Sequence, residues 1–454
     1  MSTDDAQDLS ALAHKLVEDA RKGGADVAEA SASEGWELSA KIRLGEPELV
    51  EEAGSRGVSL RVLRDQRVAV TSTSDLSETG LARCVSDALE LLDLTEPDPC
   101  AGPADPESLA KGPFADLDLY SEEVANIRAD EALRRAVAAE KTALAFDPRL
   151  SLSEGATFSR VSGKSVLVLS SGFVGEQIGS YASLVVTPVA EDAGGKRRRG
   201  YYWTAGRHLS SMESEEEVGI EAAKRTLAKL GARKVDTCEV PVVFDPDVAR
   251  GLIGTLVGCA MGSAIWRKSS YLVGRQDTQV ASDLVTVVDD PLRPQGPGSR
   301  AFDGEGLPSQ RNVIVERGTL KTYLLDCYSA RKLKLRSTAS ASRRGGGIGP
   351  STTNCYLEAG KSTPEDVVRG VKQGLYVTEM MGFGFNAITG DYSRGAAGFW
   401  IENGERAFPV SEVTVSSNLD DMLKNIDAVG DDLEFKTSTA SPTLRISKMT
   451  IAGN

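Results

Sequence analysis

Histidine is scarce in this chain: 454 residues hold only His14 and His208, about 190 positions apart. His14 falls in the first predicted helix and His208 in a loop. No HExxH and no i, i+4 histidine pair exists, so the usual helical zinc site has no ligands. A GxSxG nucleophile elbow is missing too, as is a GxxxxGK[ST] phosphate loop. Gly360-Lys361-Ser362 comes nearest, but Cys355 stands where the first glycine belongs. These absences exclude an autonomous serine hydrolase or NTPase of the ordinary kinds.

The six cysteines, Cys84, Cys100, Cys238, Cys259, Cys327 and Cys355, form no CxxC. A disulfide framework or a zinc knuckle needs tighter clustering, so reduced, mostly buried thiols in a cytoplasmic protein are expected. Long apolar runs are missing as well. The longest uncharged stretch, Gly251–Trp266, contains four glycines and falls short of the ~20 apolar residues a membrane helix needs. It reads as a buried helix. Met1–Ser10 is acidic and polar, with no basic n-region or apolar h-region, and predicts no secretory signal. Basic residues are outnumbered, 52 to 66, and the net charge of −14 repels DNA and anionic lipid at long range.

What is present is ordinary for a globular protein, with 41% hydrophobic and 26% charged residues. The length implies two or three domains. An amphipathic helix is predicted over Leu9–Lys22, stopped by Gly23-Gly24. Strand-like runs follow at Ala25–Ser33, Glu37–Leu44, Gly57–Leu63 and Arg67–Thr73, then a helix at Leu76–Leu92. Five prolines between Thr95 and Pro113 mark a linker or long loop. A second unit opens with a helix near Ser121–Lys141. Strands follow at Ser165–Ser170, Ser180–Ala190 and Tyr201–Ala205, with a hairpin tip or loop at Gly194–Arg199. It closes on a helix with a Ser214/Glu217 capping box and Gly231 as its stop. Beyond Ala232, hairpins dominate: Val313–Glu316 with Leu320–Leu325 around Arg317-Gly318, and Phe399–Glu402 with Glu405–Val410 around Asn403-Gly404. Thr363-Pro364 opens a helix. The fold class expected is α+β, mixing helices with antiparallel hairpin-rich sheets. Its division is an N-terminal α+β domain at 1–112, a central α+β domain at 113–231 and a larger β-rich domain at 232–454.

Two segments are candidates for function. Arg343-Arg344-Gly345-Gly346-Gly347-Ile348-Gly349-Pro350 is either a mobile solvated loop or the lining of a cleft. In the second case its amides and arginines face a carboxylate or a peptide. Gly390-Asp391-Tyr392-Ser393-Arg394-Gly395-Ala396-Ala397-Gly398 is either a tight turn into the next hairpin or a place where another backbone approaches closely.

These segments in this order resemble the TldD/TldE (PmbA) family, once described as modulators of DNA gyrase. The resemblance is carried by Leu230–Arg233 leading into Pro241–Pro246, by Arg343–Asn354, and most specifically by Thr389–Gly404, a run typical of the TldE/PmbA branch. In the TldD branch a helix after the Val-Val strand carries HExxxH, and a cysteine near the C-terminus helps to bind the metal. Here Gly254 and Cys259 stand in the two histidine positions and Thr255 in that of the glutamate, and no cysteine follows Cys355. Glycine offers no ligand, and threonine is no general base at neutral pH. The resemblance therefore implies a chain without catalytic residues or metal. It would pair with a zinc-bearing, HExxxH-containing TldD-like subunit around a cleft that takes unfolded peptides or peptide precursors. Arg343, Arg344, Gly345, Gly346 and Gly347, with Asp391, Tyr392, Ser393 and Arg394, are the expected substrate- or partner-binding residues. The alternative is a nucleic-acid- or topoisomerase-associated modulator without enzymatic activity, suggested by the family's older description and the basic run Lys196–Arg199. A stand-alone peptidase with an unrecognised site is the third reading.

Overall fold

The computed structural model describes residues 8–453, so residues 1–7 of the acidic N-terminal stretch lie outside the described residues. Helix α1 (Leu9–Lys22) begins where the Asp8 carboxylate accepts from the Ser10 N–H, and Arg21 and Lys22 face its negative end. Leu9, Leu12, Leu16 and Val17 form its buried stripe. Strands β1 (Val27–Arg43), β2 (Glu46–Arg64) and β3 (Arg67–Thr73) follow, then helix α2 (Glu78–Leu94). The runs Ala25–Ser33 and Glu37–Leu44, expected as two strands, are one: Glu34-Gly35-Trp36 continues the ladder. Residues 46–55 were expected to be no strand at all, yet they form the first half of β2. All of them are exposed, so side-chain burial leaves no alternating pattern; the backbone ladder with β1 holds them, with ion pairs from Glu48 and Glu52 added.

The next stretch holds α3 (Glu122–Ala125), α4 (Ala129–Ala145), β4 (Leu152–Leu169), β5 (Val174–Glu191), β6 (Arg197–Arg199), β7 (Tyr202–Gly206) and α5 (Glu215–Leu227). The single helix expected at Ser121–Lys141 is two, because Asn126 ends the first and the buried Ile127 turns into the core before the second starts. The capping box of Ser214 and Glu217 is present; α5 stops at Leu227, and looser turns carry the chain to Gly231 at φ 76°. All these strands join one antiparallel sheet of order β3-β2-β1-β4-β5-β6, with β7 also on β5. Alternate residues of β1 face its helices: Ala28, Ala30 and Ala32 under α1 and α2, and Leu38, Ala40 and Ile42 under α4 and α5. Burying each of the larger side chains contributes about 1.5–3 kcal/mol. The opposite face of the sheet looks toward the rest of the chain.

The proline-rich stretch after α2 is a long loop pinned down at its middle. The Asp98 carboxylate accepts from the Tyr328 hydroxyl and the Lys332 ammonium, and the Arg331 guanidinium donates to the Cys100 and Gly102 carbonyls.

The remaining residues begin with β8 (Cys238–Phe244), α6 (Pro246–Cys259), α7 (Gly262–Trp266), β9 (Val287–Asp289), β10 (Asn312–Glu316), β11 (Thr319–Leu320) and α8 (Cys327–Leu333). Strands β12 (Ala341–Arg344), β13 (Gly347–Pro350) and β14 (Cys355–Leu357) come next, then α9 (Pro364–Arg369) and β15 (Gln373–Met381). The chain ends on β16 (Asp391–Glu402), β17 (Glu405–Asn418), α10 (Leu419–Lys424), β18 (Ile426–Val429), β19 (Thr439–Ala440) and β20 (Leu444–Ala452). One sheet has the order β17-β16-β15-β8-β20-β18, and β17 also pairs with β20, so five of its strands close into a ring. A second sheet runs β11-β10-β9-β14-β19, and β12 with β13 forms a hairpin. Pairings are antiparallel except β8 with β15 and β14 with β19. The Asn403-Gly404 turn has both residues at positive φ, 51° and 83°, as a two-residue hairpin requires. Of the expected strand Leu320–Leu325 only Leu320 pairs with β10, as the end of a two-residue strand that starts at Thr319; Leu324 and Leu325 go instead into the core around α6. The stretch Gly251–Trp266 supplies the end of α6 and all of α7. Among the described residues no helix is long and apolar enough to cross a membrane. The fold is α+β.

Candidate functional site

Helix α6 begins at the carboxyl end of β8, capped by Asp245. That carboxyl is 8% exposed, and burial pushes it above the usual range although Arg225 lies nearby. It accepts from the Asp247 N–H at 3.2 Å and the Tyr376 hydroxyl at 3.1 Å. One face of the helix, with Leu252, Ile253, Leu256 and Val257, enters the core. Gly251, Gly254 and Gly258 stand on the other face, exposed, and the nearest neighbour of Gly254 beyond the helix is the Thr439 methyl at 4.0 Å from an ideal Cβ. The Thr255 hydroxyl donates to the Gly251 carbonyl at 2.8 Å. Cys259 lies on the buried side, 2% exposed, and burial pushes its thiol up to about 11.

Gly254, Thr255 and Cys259 do not fit a metal: one has no side chain, one has its hydroxyl committed to the helix backbone, and the third turns away from both as a protonated thiol. Among the described residues no three His, Cys, Asp or Glu side chains gather as a metal set. His14 is exposed on α1, and His208 Nε2 lies 3.0 Å from Asp118 Oδ1.

The arginine- and glycine-rich segment forms a β-hairpin. Arg343 pairs with Ile348 and Arg344 with Gly347 across the β12–β13 hairpin, and Gly345 and Gly346 form its turn at φ 55° and 82°. The tip docks on the helix-free face of the large sheet. A Cβ on Gly346 would sit 2.4 Å from Val70 Cγ1 and 3.2 Å from Ser59 Cβ. The Arg343 guanidinium pairs with the Glu29 carboxylate, which Arg61 also grips at 2.8 Å. Glu29 is 3% exposed; burial alone would raise its carboxyl, but the two guanidiniums hold it below the usual range. Arg343 therefore already holds a carboxylate of its own chain.

Between this hairpin and the sheet lies a cavity of about 820 Å³. Its floor is two cross-strand rows of small or polar residues. One runs Ser72, Ser59, Ser31, Leu167, Gly175; the next runs Gly57, Ser33, Ser165, Gln177. Small side chains hollow the face, which is why space remains there. Arg343, Gly345 and Gly346 border it, together with Arg300, Phe302 and Asp303. Gly175 admits the Phe302 ring, which a Cβ would meet at 2.4 Å.

The second candidate segment is elsewhere. Asp391, Tyr392, Ser393 and Arg394 start β16. Asp391 is exposed and accepts from the Thr389 hydroxyl at 2.6 Å, and Tyr392 is buried in the core beside Phe385. Ser393 points outward, and its N–H donates to the Gly384 carbonyl at 2.8 Å. Arg394 is half-buried, with Nε lacking an acceptor. Among the described residues no hydrogen bond or ion pair links Asp391–Arg394 with Arg343–Gly347. The dense small residues of this run serve packing: a Cβ on Gly398 would fall 1.8 Å from the Tyr376 carbonyl oxygen. Sequence reasoning missed Glu29, Ser31, Ser33 and Arg300. The alternation Ala28-Glu29-Ala30-Ser31-Ala32-Ser33 carried the signal, with alanines for the helices and polar residues for the cavity.

Comparison with known proteins covers nearly the whole chain. Models of the PmbA/TldA metallopeptidase domain 1, central domain and C-terminal domain match residues 28–92, 122–230 and 237–453. Metalloprotease PmbA of Escherichia coli O157:H7 is 40% identical, over 95% of this chain and 93% of that protein. A metalloprotease PmbA homolog of Haemophilus influenzae is 37% identical, over 99% and 97%. A putative modulator of DNA gyrase from Bacteroides thetaiotaomicron superposes with a TM-score of 0.91 at 28% identity, over 100% of both chains. TldE from Thermococcus kodakarensis, at 22% identity, shares the fold with a TM-score of 0.87 over 97% and 100%. With three family domains matched in order and 40% identity to a curated relative, the chain belongs to the PmbA/TldD family of metallopeptidases.

Proposed function

We propose that this chain is the non-catalytic subunit of a two-chain metallopeptidase. It pairs with an HExxxH-bearing, zinc-holding relative in the cytoplasm, shapes the shared cleft and guides unfolded peptides or peptide precursors into it. The observation that carries the reading is the make-up of α6. The helix holds its place at the end of β8, yet at the positions the metal-binding branch fills with HExxxH it carries Gly254, which has no side chain, Thr255, whose hydroxyl is bound to the Gly251 carbonyl, and Cys259, whose thiol turns inward. None of these three positions supplies a metal ligand or a general base to activate a water molecule. The framework around it is intact, down to the close approach of Gly398 to Tyr376. The relatives from Escherichia coli and Haemophilus influenzae are named metalloproteases, an activity which in this reading belongs to the pair.

The nucleic-acid alternative draws little support. In the basic run, Arg198 is paired with Asp192 at 2.8 Å and Arg199 with Glu154 at 3.1 Å. The net charge of −14 works against a polyanion.

The test is reconstitution. The chain alone should leave casein and unstructured peptides intact. Mixed with an HExxxH relative, it should elute as a larger species with chelator-sensitive hydrolysis that neither chain shows alone. The interface should bury on the order of 2,000 Å² or more. Hydrolysis by this chain alone, unaffected by chelators, refutes the proposal.

A further inference from the structure

The cavity between the large sheet and the β12–β13 hairpin holds an electrostatic imbalance that the chain does not resolve. Arg300 and Arg343 both border it. Arg300 Nε and Nη2 and Arg343 Nη1 are shielded from solvent and have no acceptor. A buried donor without a partner costs about 1–3 kcal/mol, more when charged, so such groups are rare unless something completes them.

The nearby acids do not do so, because their carboxyl oxygens are turned to other donors. Asp303 Oδ1 accepts from the Glu305 and Leu307 N–H groups and Oδ2 from the Ala341 N–H. Asp289 is bound at both oxygens by Thr353, through its N–H and its hydroxyl. Both carboxyl groups attract Arg300 through space, yet among the described residues neither accepts a hydrogen bond from its Nε or Nη2.

The two orphaned nitrogens of Arg300 belong to one edge of the guanidinium. Elsewhere in this chain that edge takes a carboxylate two-pronged: Arg445 Nε and Nη2 reach the two oxygens of Asp427 at 2.7 and 3.2 Å, and Arg149 holds Asp147 at 2.9 and 2.8 Å. The same fork on Arg300 is empty.

We propose that this cavity is a carboxylate-binding site. Arg300 is its anchor and the spare Nη1 of Arg343 contributes, each after a change of rotamer that turns its shielded nitrogens to the open space, and the serine rows of the floor hydrogen-bond the rest of the ligand. A volume of about 820 Å³ is far more than the ~30 Å³ of one water and lies in the range of small-molecule sites, about 300–1,000 Å³. It admits a molecule the size of a tripeptide. Ser33, Ser165 and Gln177 supply both donors and acceptors, which suits main-chain amides. The carboxylate is either a peptide C-terminus or an acidic side chain, and both present the same fork. The site is built by this chain alone, so it stands or falls separately from the two-chain reading.

Calorimetric titration of the full chain, with no partner added, tests the proposal with three probes: Ala-Ala-Ala with a free C-terminus, its C-terminal amide, and acetyl-Ala-Asp-Ala-amide. The free acid, the aspartyl peptide or both should bind at one site per chain, at least about tenfold tighter than the neutral amide, as charged hydrogen bonds do. Tight binding of the free acid only assigns a C-terminus, and tight binding of the aspartyl peptide assigns a side chain. Arg300→Gln should remove the preference over the amide. Ser165→Phe, which fills the floor and leaves both arginines in place, should remove binding altogether, with circular dichroism reporting that each variant is folded. If Arg300→Gln does not fold, the wild-type preference and Ser165→Phe decide the matter. Equal binding of acid and amide overturns the proposal. So does no saturable binding of any probe, which would mean that the cavity holds only water, and so do folded variants that bind as the wild type does.

Discussion

Replacing Glu29 with glutamine strands two buried guanidiniums. The Glu29 side chain is 3% exposed and those of Arg61 and Arg343 are each 10% exposed. Arg61 belongs to the sheet and Arg343 to the hairpin docked on it, so Glu29 is the clasp between them. Breaking a buried pair by removing one partner costs about 3–5 kcal/mol, because the remaining charge stays out of water unpaired. The outer part of the hairpin can relieve that cost by lifting off, since what else holds it to the sheet is the packing of Gly346 on Val70 and Ser59, while its base stays bonded to Asp303 and Gly304 through Ala341. Glu29→Gln should therefore speed amide exchange in residues 341–350 roughly 100-fold, the equivalent of about 3 kcal/mol, while the closed ring of β8, β15, β16, β17 and β20 keeps its protection. The sign of the pH dependence follows from the depressed carboxyl. The contribution of Glu29 is fully present above the unfolded value of about 4.3 and is lost as pH falls through the lower folded value. The gap between wild type and variant should thus be constant at neutral pH and close on acidification below that point. Unchanged exchange in the hairpin, or a gap that widens in acid, refutes the clasp.

Burial pushes the Glu305 carboxyl up to about 7, helped by the charge of Asp303. Stability from this group is present below about 4.3 and lost as pH rises through about 7, so Glu305→Gln should flatten the urea midpoint across that window; an unchanged pH profile counts against it. Gly398→Ala drives a methyl into the Tyr376 carbonyl at 1.8 Å and should abolish soluble folding. Gly251→Ala, with nothing within 4 Å, should gain about 0.5–1 kcal/mol; similar urea midpoints for the two would contradict the packing argument. After dialysis against trace zinc, elemental analysis should find far less than one equivalent in the isolated chain; one retained equivalent would reveal ligands other than Gly254, Thr255 and Cys259.

How much of this was legible in the sequence depended on whether a feature is written in local chemistry or in burial. The Asn403-Gly404 turn, the Ser214/Glu217 box and the Thr363-Pro364 helix start each satisfy backbone groups within a few residues, so their signals are local and each was anticipated. The exposed half of β2 has no such signature. Residues 46–55 gain nothing from side-chain burial, and only a partner strand makes them a strand. The turn at Asp65-Gln66 likewise reaches positive φ, 51° and 62°, without a glycine to announce it.

The candidate site was hard to read from the sequence because its contents depend on residues far apart. Gly254, Thr255 and Cys259 could be judged from residue type alone, because no fold turns glycine into a ligand. Arg343 could not. Its role rests on Glu29, 314 positions away, and on a sheet whose two faces divide the labour residue by residue. Once Ala28, Ala30 and Ala32 are assigned to the helices, period-two geometry obliges Glu29, Ser31 and Ser33 to face the hairpin. That alternation lies within the predicted run Ala25–Ser33; what the sequence does not announce is the β12–β13 hairpin that covers its polar face. A polar row on the concealed side of a sheet means either a wet interface or a binding site, and the empty fork of Arg300 is what favours the second.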